Sequence, residues 1–405
     1  MGGSLKDEGN SLAMDSSGNV YVTGWFQGKA FFGEGTKTIS LISSGESDIF
    51  TAKYDNSGNL LWVKQMRGDL NDGGYAIALD KSNNVYTAGF FKGTVDFNPD
   101  SGIYELTSSG DFDIFITKLD SSGNFIWVKS FGGSYSDGGN SITVDASGNV
   151  YTIGFFIDTV DFDPGVGTAN LTSSEGTYDT FVQKLDASGN FIWAHSFGGI
   201  STDYGNAITV DASGNVYTTG NFEDTVDFDP GAGTANLTSV GLEDIFVQKL
   251  DASGNFIWAK SFGASDEDEG SSITVDALGN VYTTGYFQGT VDFDPGVGTN
   301  NFTSAGFSDV FIQKMSQGIT GIGDIAKGIQ IKAYPNPSKG LVQLLFSQAL
   351  NNVEITLADL QGKVVFTKNL DAAFNEQINI DGSAGIYFLH VKTPEGQSVV
   401  KLIKE

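Results

Sequence analysis

An internal repeat of about 65 residues constrains the fold of this chain more than any other feature of its sequence. The pattern Asp-x-x-x-Asn-Val-Tyr recurs at intervals of 65, 65, 66 and 65 residues, starting at Asp15, Asp80, Asp145, Asp211 and Asp276. A second pattern, Asp-x-Ser-Gly-Asn-x-x-Trp, recurs at intervals of 65, 66 and 65 residues and ends at Trp62, Trp127, Trp193 and Trp258. A fixed period of this kind is typical of a chain that stacks copies of one supersecondary unit.

Each repeat contains four runs rich in β-branched and aromatic residues, which is the composition of β-strands. Short turns that contain Gly279 and Gly254 join the first run to the second and the third to the fourth, as in hairpins. The sequence therefore predicts a four-stranded antiparallel meander in every repeat, with strands A to D. Residues 114–116 are all apolar, which favours sheets covered on both faces by their neighbours.

Repeated meanders of this kind predict an all-β fold, a β-propeller of five four-stranded repeats in residues 1–316. The last blade is expected to lack its outer strand, because no Trp-bearing run follows Lys314. A linear β-solenoid is the alternative, although solenoid repeats are usually shorter, at around 20 to 30 residues. Residues 317–328 are predicted to be a glycine-containing linker. Seven short strand-like runs in residues 329–405 predict a small Ig-like β-sandwich.

The charge of the chain excludes several classes of function. Lys and Arg total 22 against 49 Asp and Glu, so the formal net charge is −27, and the whole excess lies in residues 1–316. Nucleic acid is therefore not an expected partner, since a nucleic-acid groove needs a basic face. Cysteine is absent and only His195 and His390 are present, which excludes thiol chemistry and leaves little material for a histidine-based catalytic site. No apolar run is long enough for a membrane span.

The repeats resemble the SBBP family of β-propeller repeats, which occurs in bacterial surface and secreted proteins. The resemblance rests on residues 211–220, with the sequence DASGNVYTTG, and on residues 251–260, with the sequence DASGNFIWAK. It covers about 316 residues and recurs five times. The family implies a propeller but has no common reaction.

The tail resembles the C-terminal sorting domain, type A, of the type IX secretion system of Bacteroidota. The resemblance rests on matched motif positions along residues 334–405, namely Pro335, Asn336, Pro337, Gly340, Gly362, Gly385, Tyr387 and Lys401. It implies the type IX secretion machinery as partner and a secreted or cell-surface location. Such proteins carry a signal peptide, which residues 1–5 do not resemble. Because residues 1–4 align with residues 131–134, just after a D strand, we expect a truncated N-terminus.

The loops between strands B and C carry spaced acidic residues that suggest a calcium site. Four of them have the form Asp-Phe-[Asp/Asn]-Pro and supply Asp96, Asn98, Asp100, Asp161, Asp163, Asp227, Asp229, Asp292 and Asp294. Calcium takes six to eight oxygen ligands, and this spacing partly resembles a calcium loop. The alternative is a turn in which each Asp side chain accepts backbone hydrogen bonds and the Pro-Gly pair reverses the chain. No other cofactor is predicted.

Three further features have alternative interpretations. The four Trp residues of strand D either pack between blades or form a sugar-stacking platform, and a fixed position in every repeat favours packing. The acidic loop at residues 265–270 is either a solvated rim or a site for a cation or basic partner. His195 is expected on the strand surface. The predicted site list therefore contains no catalytic residue.

Together these patterns predict a secreted or surface-displayed, non-enzymatic β-propeller. Its expected role is binding or adhesion to a glycan or protein through the rim that carries the long loops, since binding residues often lie on loops held by a rigid scaffold. The alternatives are an exported carbohydrate-active enzyme that uses paired carboxylates and a structural component of a surface layer. No residue unique to one repeat stands out from the sequence as a ligand-binding residue.

Overall fold

The computed structural model describes residues 1–277, 279–296, 298–316, 331–360, 362–394 and 396–405. The chain divides into two compact units, Met1–Met315 and Ser316–Glu405. The predicted linker, residues 317–328, lies outside the described residues. Described regular structure is β-strand apart from one 3-10 turn at Gly35–Lys37. Within these ranges, no helix has the length and apolar character needed to cross a membrane.

The first unit consists of five consecutive antiparallel meanders, which we call modules 1 to 5. The A strands are Asp7–Met14, Gly73–Leu79, Gly138–Val144, Tyr204–Val210 and Glu269–Val275. The B strands are Val20–Phe32, Val85–Asp96, Val150–Phe156, Val216–Phe222 and Val281–Asp292. The C strands are Ile39–Tyr54, Glu105–Leu119, Asp179–Leu185, Asp244–Leu250 and Asn301–Met315. The D strands of modules 1 to 4 are Leu60–Gly68, Phe125–Phe131, Phe191–Phe197 and Phe256–Phe262.

Neighbouring strands pair in the order A, B, C, D, and the described part of module 5 has three strands. In module 3, for example, Ile142 of strand A pairs with Thr152, and Val182 of strand C pairs with both Ile153 and His195. A short strand at Gly2–Gly3 pairs with residues 30 and 31 of module 1. The predicted antiparallel meander is therefore the arrangement that the chain adopts.

Beyond each core sheet, strands B and C continue as a two-stranded arm. In modules 3 and 4 the arms are separate strand pairs, Thr159–Asp161 with Asn170–Thr172 and Thr225–Asp227 with Asn236–Thr238. A residue of positive φ lies at the start of every arm: Gly28, Gly93, Asp158, Asp224 and Gly289, with φ from 60° to 71°. This left-handed conformation is permissive for Gly and tolerated by Asp, and it redirects the strand away from the core sheet.

The modules pack face against face, with their A strands side by side. Asn10 Nδ2 donates to the Gly74 carbonyl of module 2 at 2.9 Å, and Asn140 Nδ2 donates to the Gly205 carbonyl of module 4 at 3.0 Å. Separate apolar clusters fill each gap between modules. Ile114, Phe115 and Ile116 are all fully buried, because one module covers each face of the sheet. The consecutive apolar residues of strand C follow from this double coverage.

The modules have two different edges, which we call the turn rim and the loop rim. The turn rim carries the A–B and C–D turns, and the loop rim carries the B–C arms and the D–A connections. In a turn-rim example, Asp145 accepts hydrogen bonds from the backbone N–H groups of Ser147 and Asn149 at 2.8 and 3.0 Å. It also accepts from Asn149 Nδ2 at 2.7 Å and from the Tyr151 hydroxyl at 3.1 Å. These bonds explain why the Asp, Asn and Tyr positions repeat.

The second unit has five described strands rather than the seven short ones predicted. They are Ile331–Tyr334, Leu341–Asp359, Val364–Asn379, Gly385–Thr393 and Gly396–Lys404. The second and third strands pair along most of their length, with a break in register between Leu345 and Leu350. Two predicted gaps are therefore irregularities inside long strands. One buried apolar cluster, which includes Ile355 and Leu389, forms the core of this unit. Since all described pairing belongs to one set of strands, the Ig-like sandwich stays a prediction.

Candidate functional site

The predicted calcium loops lie at the tips of the B–C arms, where each is closed by hydrogen bonds to its own backbone. Asp161 Oδ1 accepts from the N–H groups of Asp163 and Ala169 at 3.0 and 2.8 Å, and Asp163 Oδ1 accepts from Gly165 at 2.8 Å. The same pattern holds for the loops that begin at Asp96, Asp227 and Asp292. These contacts are those of the turn that the sequence left as the alternative.

The phenylalanine inside each loop anchors it to the core. The Phe162 ring lies 4.9 Å from the Phe181 ring and 5.3 Å from the Phe156 ring, and Phe162 is fully buried. In the described ranges, no group of three or more His, Asp or Glu side chains is close enough together to hold a metal ion. The calcium assignment of Asp163, Asp229 and Asp294 thus stays a prediction, while their role in closing the turns is visible.

The repeated Trp residues lie at the contacts between modules. Trp62 Nε1 donates to the Ser121 carbonyl of the next module at 3.3 Å, and Trp127 Nε1 donates to the Ala187 carbonyl at 3.4 Å. Trp193 is only 9% exposed, and its ring stacks on His195 with centroids 5.0 Å apart. His195 is half-buried, and burial lowers the pKa of its imidazole. These contacts favour packing over a sugar-stacking platform for the Trp series.

Each contact between modules also contains two buried aspartates on the loop rim. One lies where strand C enters the core sheet, as in Asp113, Asp179 and Asp244, and the other precedes strand A of the next module, as in Asp137 and Asp203. Asp137 accepts hydrogen bonds from the Gly133 and Ile157 N–H groups at 2.7 and 3.0 Å. Burial, with a smaller contribution from the charge of Asp113, raises the pKa of Asp137 to about 7 despite these bonds. Burial likewise raises the pKa of Asp203 to about 8 and that of Asp179 to about 7.

The acidic D–A loop at residues 265–270 divides into exposed and buried parts. Asp266 and Glu267 are exposed, as expected for a solvated rim. Asp268 is fully buried and accepts hydrogen bonds from the Ala264 and Gln288 N–H groups at 2.7 and 2.8 Å. Asp268 is therefore the module 5 member of the buried set rather than part of a solvated charge run.

Side chains that do not repeat from module to module gather on the loop rim. In modules 1 and 2 they form a group that we call the aromatic patch, consisting of Trp25, Tyr75, Phe90 and Phe112. The Phe90 ring lies 5.1 Å from the Tyr75 ring and 4.8 Å from the Phe112 ring. Gly73 lies beneath the patch, where an added Cβ would be within 3.5 Å of Trp25, Tyr75 and Phe90. A side chain at position 73 would therefore contact all three rings and crowd two of them.

A second group, which we call the aromatic–acidic site, lies on the loop rim of modules 3 to 5 and consists of Phe155, Tyr178, Tyr204, Glu243, Glu269 and Tyr286. The Tyr178 and Tyr204 rings stack with centroids 5.7 Å apart, and the Phe155 ring meets both edge-on at 5.3 and 5.2 Å. All three side chains are half-buried, so the rings are held in place while part of each remains accessible.

Carboxylates extend this aromatic group toward module 5. Burial raises the pKa of Tyr204, and the charges of Tyr178 and Glu243 add to the rise, so the Glu243 carboxylate is near enough to Tyr204 to affect its titration. Burial also raises the pKa of Glu243, and the surrounding carboxylates of Glu267, Glu223 and Glu269 raise it further. Burial and the Glu269 charge raise the pKa of the Tyr286 hydroxyl to about 12. The site thus combines rigid ring faces with hydrogen-bond acceptors.

The repeats carry a sequence signal for these residues, which is variation rather than a motif. The equivalent positions hold Trp25, Phe90, Phe155, Asn221 and Tyr286 in strand B, whereas neighbouring positions are nearly constant from module to module. Variation at a fixed place in an otherwise regular repeat marks side chains that the fold does not specify. An alignment of the five repeats against one another, read for differences rather than for agreement, finds the site.

The predicted sorting-motif residues serve the folding of the second unit. Asn336 Nδ2 donates to the Lys401 carbonyl and Asn336 Oδ1 accepts from the Ile403 N–H, both at 2.8 Å, so the Pro335–Pro337 segment is bound to the last strand. Gly340 and Gly362 have φ of 114° and 77°. The Tyr387 hydroxyl donates to the Ser383 carbonyl at 2.7 Å, and Gly385 begins the fourth strand. The motif thus joins the two ends of the unit.

Two family models match the chain. The Beta-propeller repeat model, SBBP, matches residues 1–25, 192–221 and 257–286, and the Secretion system C-terminal sorting domain model matches residues 332–405. The chain therefore contains SBBP propeller repeats and a type IX sorting domain, and both predicted resemblances are confirmed. Together these findings support an exported β-propeller protein.

The similar proteins are distant and mostly much longer. The chain is 26% identical over 299 residues to the Uncharacterized WD repeat-containing protein L264 of Acanthamoeba polyphaga mimivirus, covering 62% of the chain and 21% of that protein. It is 25% identical over 227 residues to the Regulatory protein FlaEY of Caulobacter vibrioides, covering 52% of the chain and 23% of that protein. The chain thus spans about a fifth of the length of these curated relatives.

Solved structures give weaker likenesses. A gluconolactonase from Xanthomonas campestris is 10% identical, with a TM-score of 0.29, and the match covers 98% of this chain and 95% of that one. A Dscam isoform structure is 6% identical, with a TM-score of 0.14, over 82% of this chain and 97% of that one. At these scores neither structure carries an argument about the fold or activity of the chain.

Proposed function

We propose that this exported β-propeller protein binds a glycan on its loop rim without transforming it, and so serves in binding or adhesion at the cell surface. The observation that carries the proposal is the aromatic–acidic site. It places the stacked rings of Tyr178 and Tyr204 beside Glu243 at positions that differ from module to module.

The chemistry of a sugar ring complements both parts of this site. The C–H face of a pyranose packs on an aromatic ring, and the half-buried rings of Phe155, Tyr178 and Tyr204 lose little conformational freedom when they are contacted. Sugar hydroxyl groups donate hydrogen bonds, for which the Glu243 and Glu269 carboxylates are acceptors. A few polar groups beside an apolar surface are typical of small-ligand sites.

The acidity of the repeats indicates which glycans fit. Residues 1–316 carry the whole net charge of −27, so an anionic polysaccharide would be repelled. Neutral glycans, and those bearing amino groups, are the expected ligands.

A glycan array probed with the full chain tests this proposal. We expect binding to a set of neutral or amino-bearing glycans. Tyr204→Ala should weaken binding at least tenfold by titration calorimetry, because it removes one of the two stacked faces. Phe374→Ala, at a 58% exposed ring in the second unit, is the matched control and should bind as the wild type does. An array without any bound glycan, or equal binding by Tyr204→Ala, would contradict the proposal.

A second candidate, a carbohydrate-active hydrolase, is favoured by one observation. Burial raises the pKa of Glu243 among other carboxylates, and a general acid of raised pKa beside an ionised carboxylate is the arrangement that glycoside hydrolysis needs. Release of reducing ends from the glycans that bind, abolished by Glu243→Gln while binding persists, would assign this activity. Binding with no product after prolonged incubation supports the binding protein.

A further inference from the structure

We infer that the loop rim binds one linear, neutral polysaccharide chain across modules 2 to 4, so that the aromatic patch and the aromatic–acidic site contact successive parts of the same chain. This inference rests on the proposed function and extends it from a single glycan site to an extended ligand. The observation that carries it is one ring pair that occurs in two neighbouring modules.

The ring pair has nearly the same geometry in modules 2 and 3. The Phe90 and Phe112 rings meet edge-on, with centroids 4.8 Å apart and planes at 70°. The Phe155 and Tyr178 rings meet edge-on at 5.3 Å and 84°. Phe155 holds the strand B position of Phe90, and Tyr178, like Phe112, directly precedes the buried aspartate of strand C. All four side chains are half-buried, so each pair is held in place while part of it remains accessible.

The fold of a module does not require these rings. Module 4 has Asn221 at the strand B position, and module 5 has Ser308 at the position before the corresponding aspartate of strand C. Strands B and C nevertheless pair in the same register in modules 2 to 5. Partly accessible rings that the sheet can do without are therefore available to a ligand.

The chain segment between the two ring pairs carries no side chain. Strand A of module 3 begins with Gly138 and Gly139, and Gly138 pairs with Phe155. A Cβ added to Gly139 would lie 3.4 Å from the carbonyl oxygen of Gly89, the residue before Phe90 in module 2. The two ring pairs are thus separated by glycine backbone, over which a ligand can pass from one to the other.

The spacing of the rings suits an extended polysaccharide. Sheets that pack face to face lie about 10 Å apart, so equivalent rings of modules 2 and 3 are separated by about this distance. A disaccharide unit of an extended pyranose chain has a similar length. Tyr204 holds the module 4 position of Gly138 and stacks on Tyr178 at 5.7 Å, so it continues the ring surface into module 4. A chain of several sugars can therefore contact both groups of rings.

The aromatic patch also has polar groups for sugar hydroxyls. Lys92 Nζ lies 5.2 Å from the centroid of the Phe112 ring and forms an ion pair with Asp111 at 2.5 Å. Asp111 also accepts a hydrogen bond from the Ser136 hydroxyl at 3.0 Å. A sugar hydroxyl can accept from the lysine and donate to the carboxylate. Because the two charges compensate each other, this position suits an uncharged sugar unit.

A chain that contacts both groups should bind more tightly than a short fragment, because its second contact forms within the same complex. Native electrophoresis of the full chain in gels that contain hydroxyethylcellulose, galactomannan or arabinoxylan is the first test. We expect retardation in at least one of these gels. Titration calorimetry with the trisaccharide and the hexasaccharide of that polymer's backbone should then show roughly tenfold tighter binding of the hexasaccharide.

Two variants test the contribution of the aromatic patch. Phe90→Asn and Phe112→Ser introduce the residues that modules 4 and 5 have at these positions, so we expect the circular dichroism spectrum and melting midpoint to be retained. Each variant should bind the hexasaccharide roughly tenfold more weakly, because only the aromatic–acidic site remains intact. Tyr104→Ala, at a 46% exposed ring that packs on Phe125 in the same module, is the matched control and should bind as the wild type does.

Three outcomes would overturn the inference. They are absence of retardation in all three gels, equal affinity for the two oligosaccharides, and wild-type hexasaccharide binding by both Phe90→Asn and Phe112→Ser. If Tyr204→Ala weakens binding while those two variants do not, the glycan site of the proposed function stands and only its extension over module 2 is wrong. Wild-type binding by Tyr204→Ala would contradict the proposed function as well.

Discussion

The two rims of the modules show how one repeated sequence separates folding from binding. On the turn rim, the side chains of the A–B turns agree in all five modules: an Asp accepts hydrogen bonds from an Asn and from a Tyr, as at Asp15 and Asp276. On the loop rim, the ends of the strands differ, with Phe155 in module 3 where module 5 has Tyr286. Repeated residues therefore hold the module together, and unrepeated ones are available to a ligand.

The aspartates of the two rims differ in the direction of their pKa shifts. Burial raises the pKa of Asp145 on the turn rim, but hydrogen bonds from Asn149, Ser147 and Tyr151 outweigh it, so the pKa lies below its usual value. On the loop rim, burial of Asp137 outweighs two backbone hydrogen bonds and raises its pKa to about 7. The first carboxylate stabilises the fold when ionised, and the second stabilises the fold when protonated.

The largest expected effect comes from a repeated residue between modules. Trp193→Ala should lower the free energy of unfolding by roughly 3–5 kcal/mol, because it empties a large buried aromatic site against Tyr151 and His195. Chemical denaturation followed by tryptophan fluorescence and circular dichroism measures this. Ile192→Ala, at the 43% exposed neighbour, is the control and should cost far less. A Trp193→Ala protein of normal stability that no longer binds glycan would instead make the Trp series a stacking platform.

The next largest effect is a loss of stability as the pH rises. It arises from the buried aspartates of the loop rim. Asp137, Asp179 and Asp203 have pKa values raised to about 7, 7 and 8, so the folded state binds protons more tightly than the unfolded state does. Their stabilising contribution is complete below pH 4 and is lost progressively as the pH rises to 7 or 8.

The melting midpoint should consequently be higher at pH 5 than at pH 8. Asp137→Asn removes the titrating carboxyl, so it should reduce the dependence of the midpoint on pH. Its one amide oxygen can accept only one of the two backbone hydrogen bonds, so the midpoint at pH 5 should fall below that of the wild type. Asp266→Asn, at an exposed carboxylate of a D–A loop, is the control and should change neither the melting midpoint nor its dependence on pH. A melting midpoint that rises from pH 5 to pH 8 would contradict the raised pKa values of the buried loop-rim aspartates.

A turn-rim aspartate should have a smaller effect of opposite pH dependence. Asp145→Ala removes four hydrogen bonds to one carboxylate and should cost about 1–3 kcal/mol at pH 7. In the wild type this contribution is lost only when the pH falls through the lowered pKa of Asp145, below its usual value. Ser147→Ala leaves the accepted hydrogen bonds in place and is the control. Equal stability of the two variants at pH 7 would show that the hydrogen bonds to Asp145 do not stabilise the fold.

Calcium is expected to have the smallest effect. The Asp161 and Asp163 oxygens of the B–C loop already accept backbone hydrogen bonds, so we expect the melting midpoint in chelator to match that in calcium. A bound ion would add about 2.7 kcal/mol at a hundredfold excess over its dissociation constant. A midpoint that falls in chelator, recovers with calcium, and no longer responds after Asp163→Ala, Asp229→Ala and Asp294→Ala together would establish the predicted metal site instead.

The repeating part of the fold was predictable because each of its features has a local cause. The Asp–Asn–Tyr turn at Asp145 and the apolar strand at 114–116 are present in the sequence as patterns. The aromatic–acidic site was not predicted, because Tyr178, Tyr204 and Glu243 are far apart in sequence, with Tyr204 in an A strand and the other two just before C strands. Only the packing of module against module brings them together. The same reason conceals Asp137, which looks like a loop residue until Gly133 and Ile157 are seen to surround it.

Amide hydrogen exchange with and without the array-selected glycan tests the division between the rims most directly. The account predicts slower exchange on binding at the loop-rim strand ends around residues 155, 178, 204, 243 and 286, with no change in the turns that begin at Asp145 and Asp211. Protection centred on those turns, or spread equally over both rims, would contradict it.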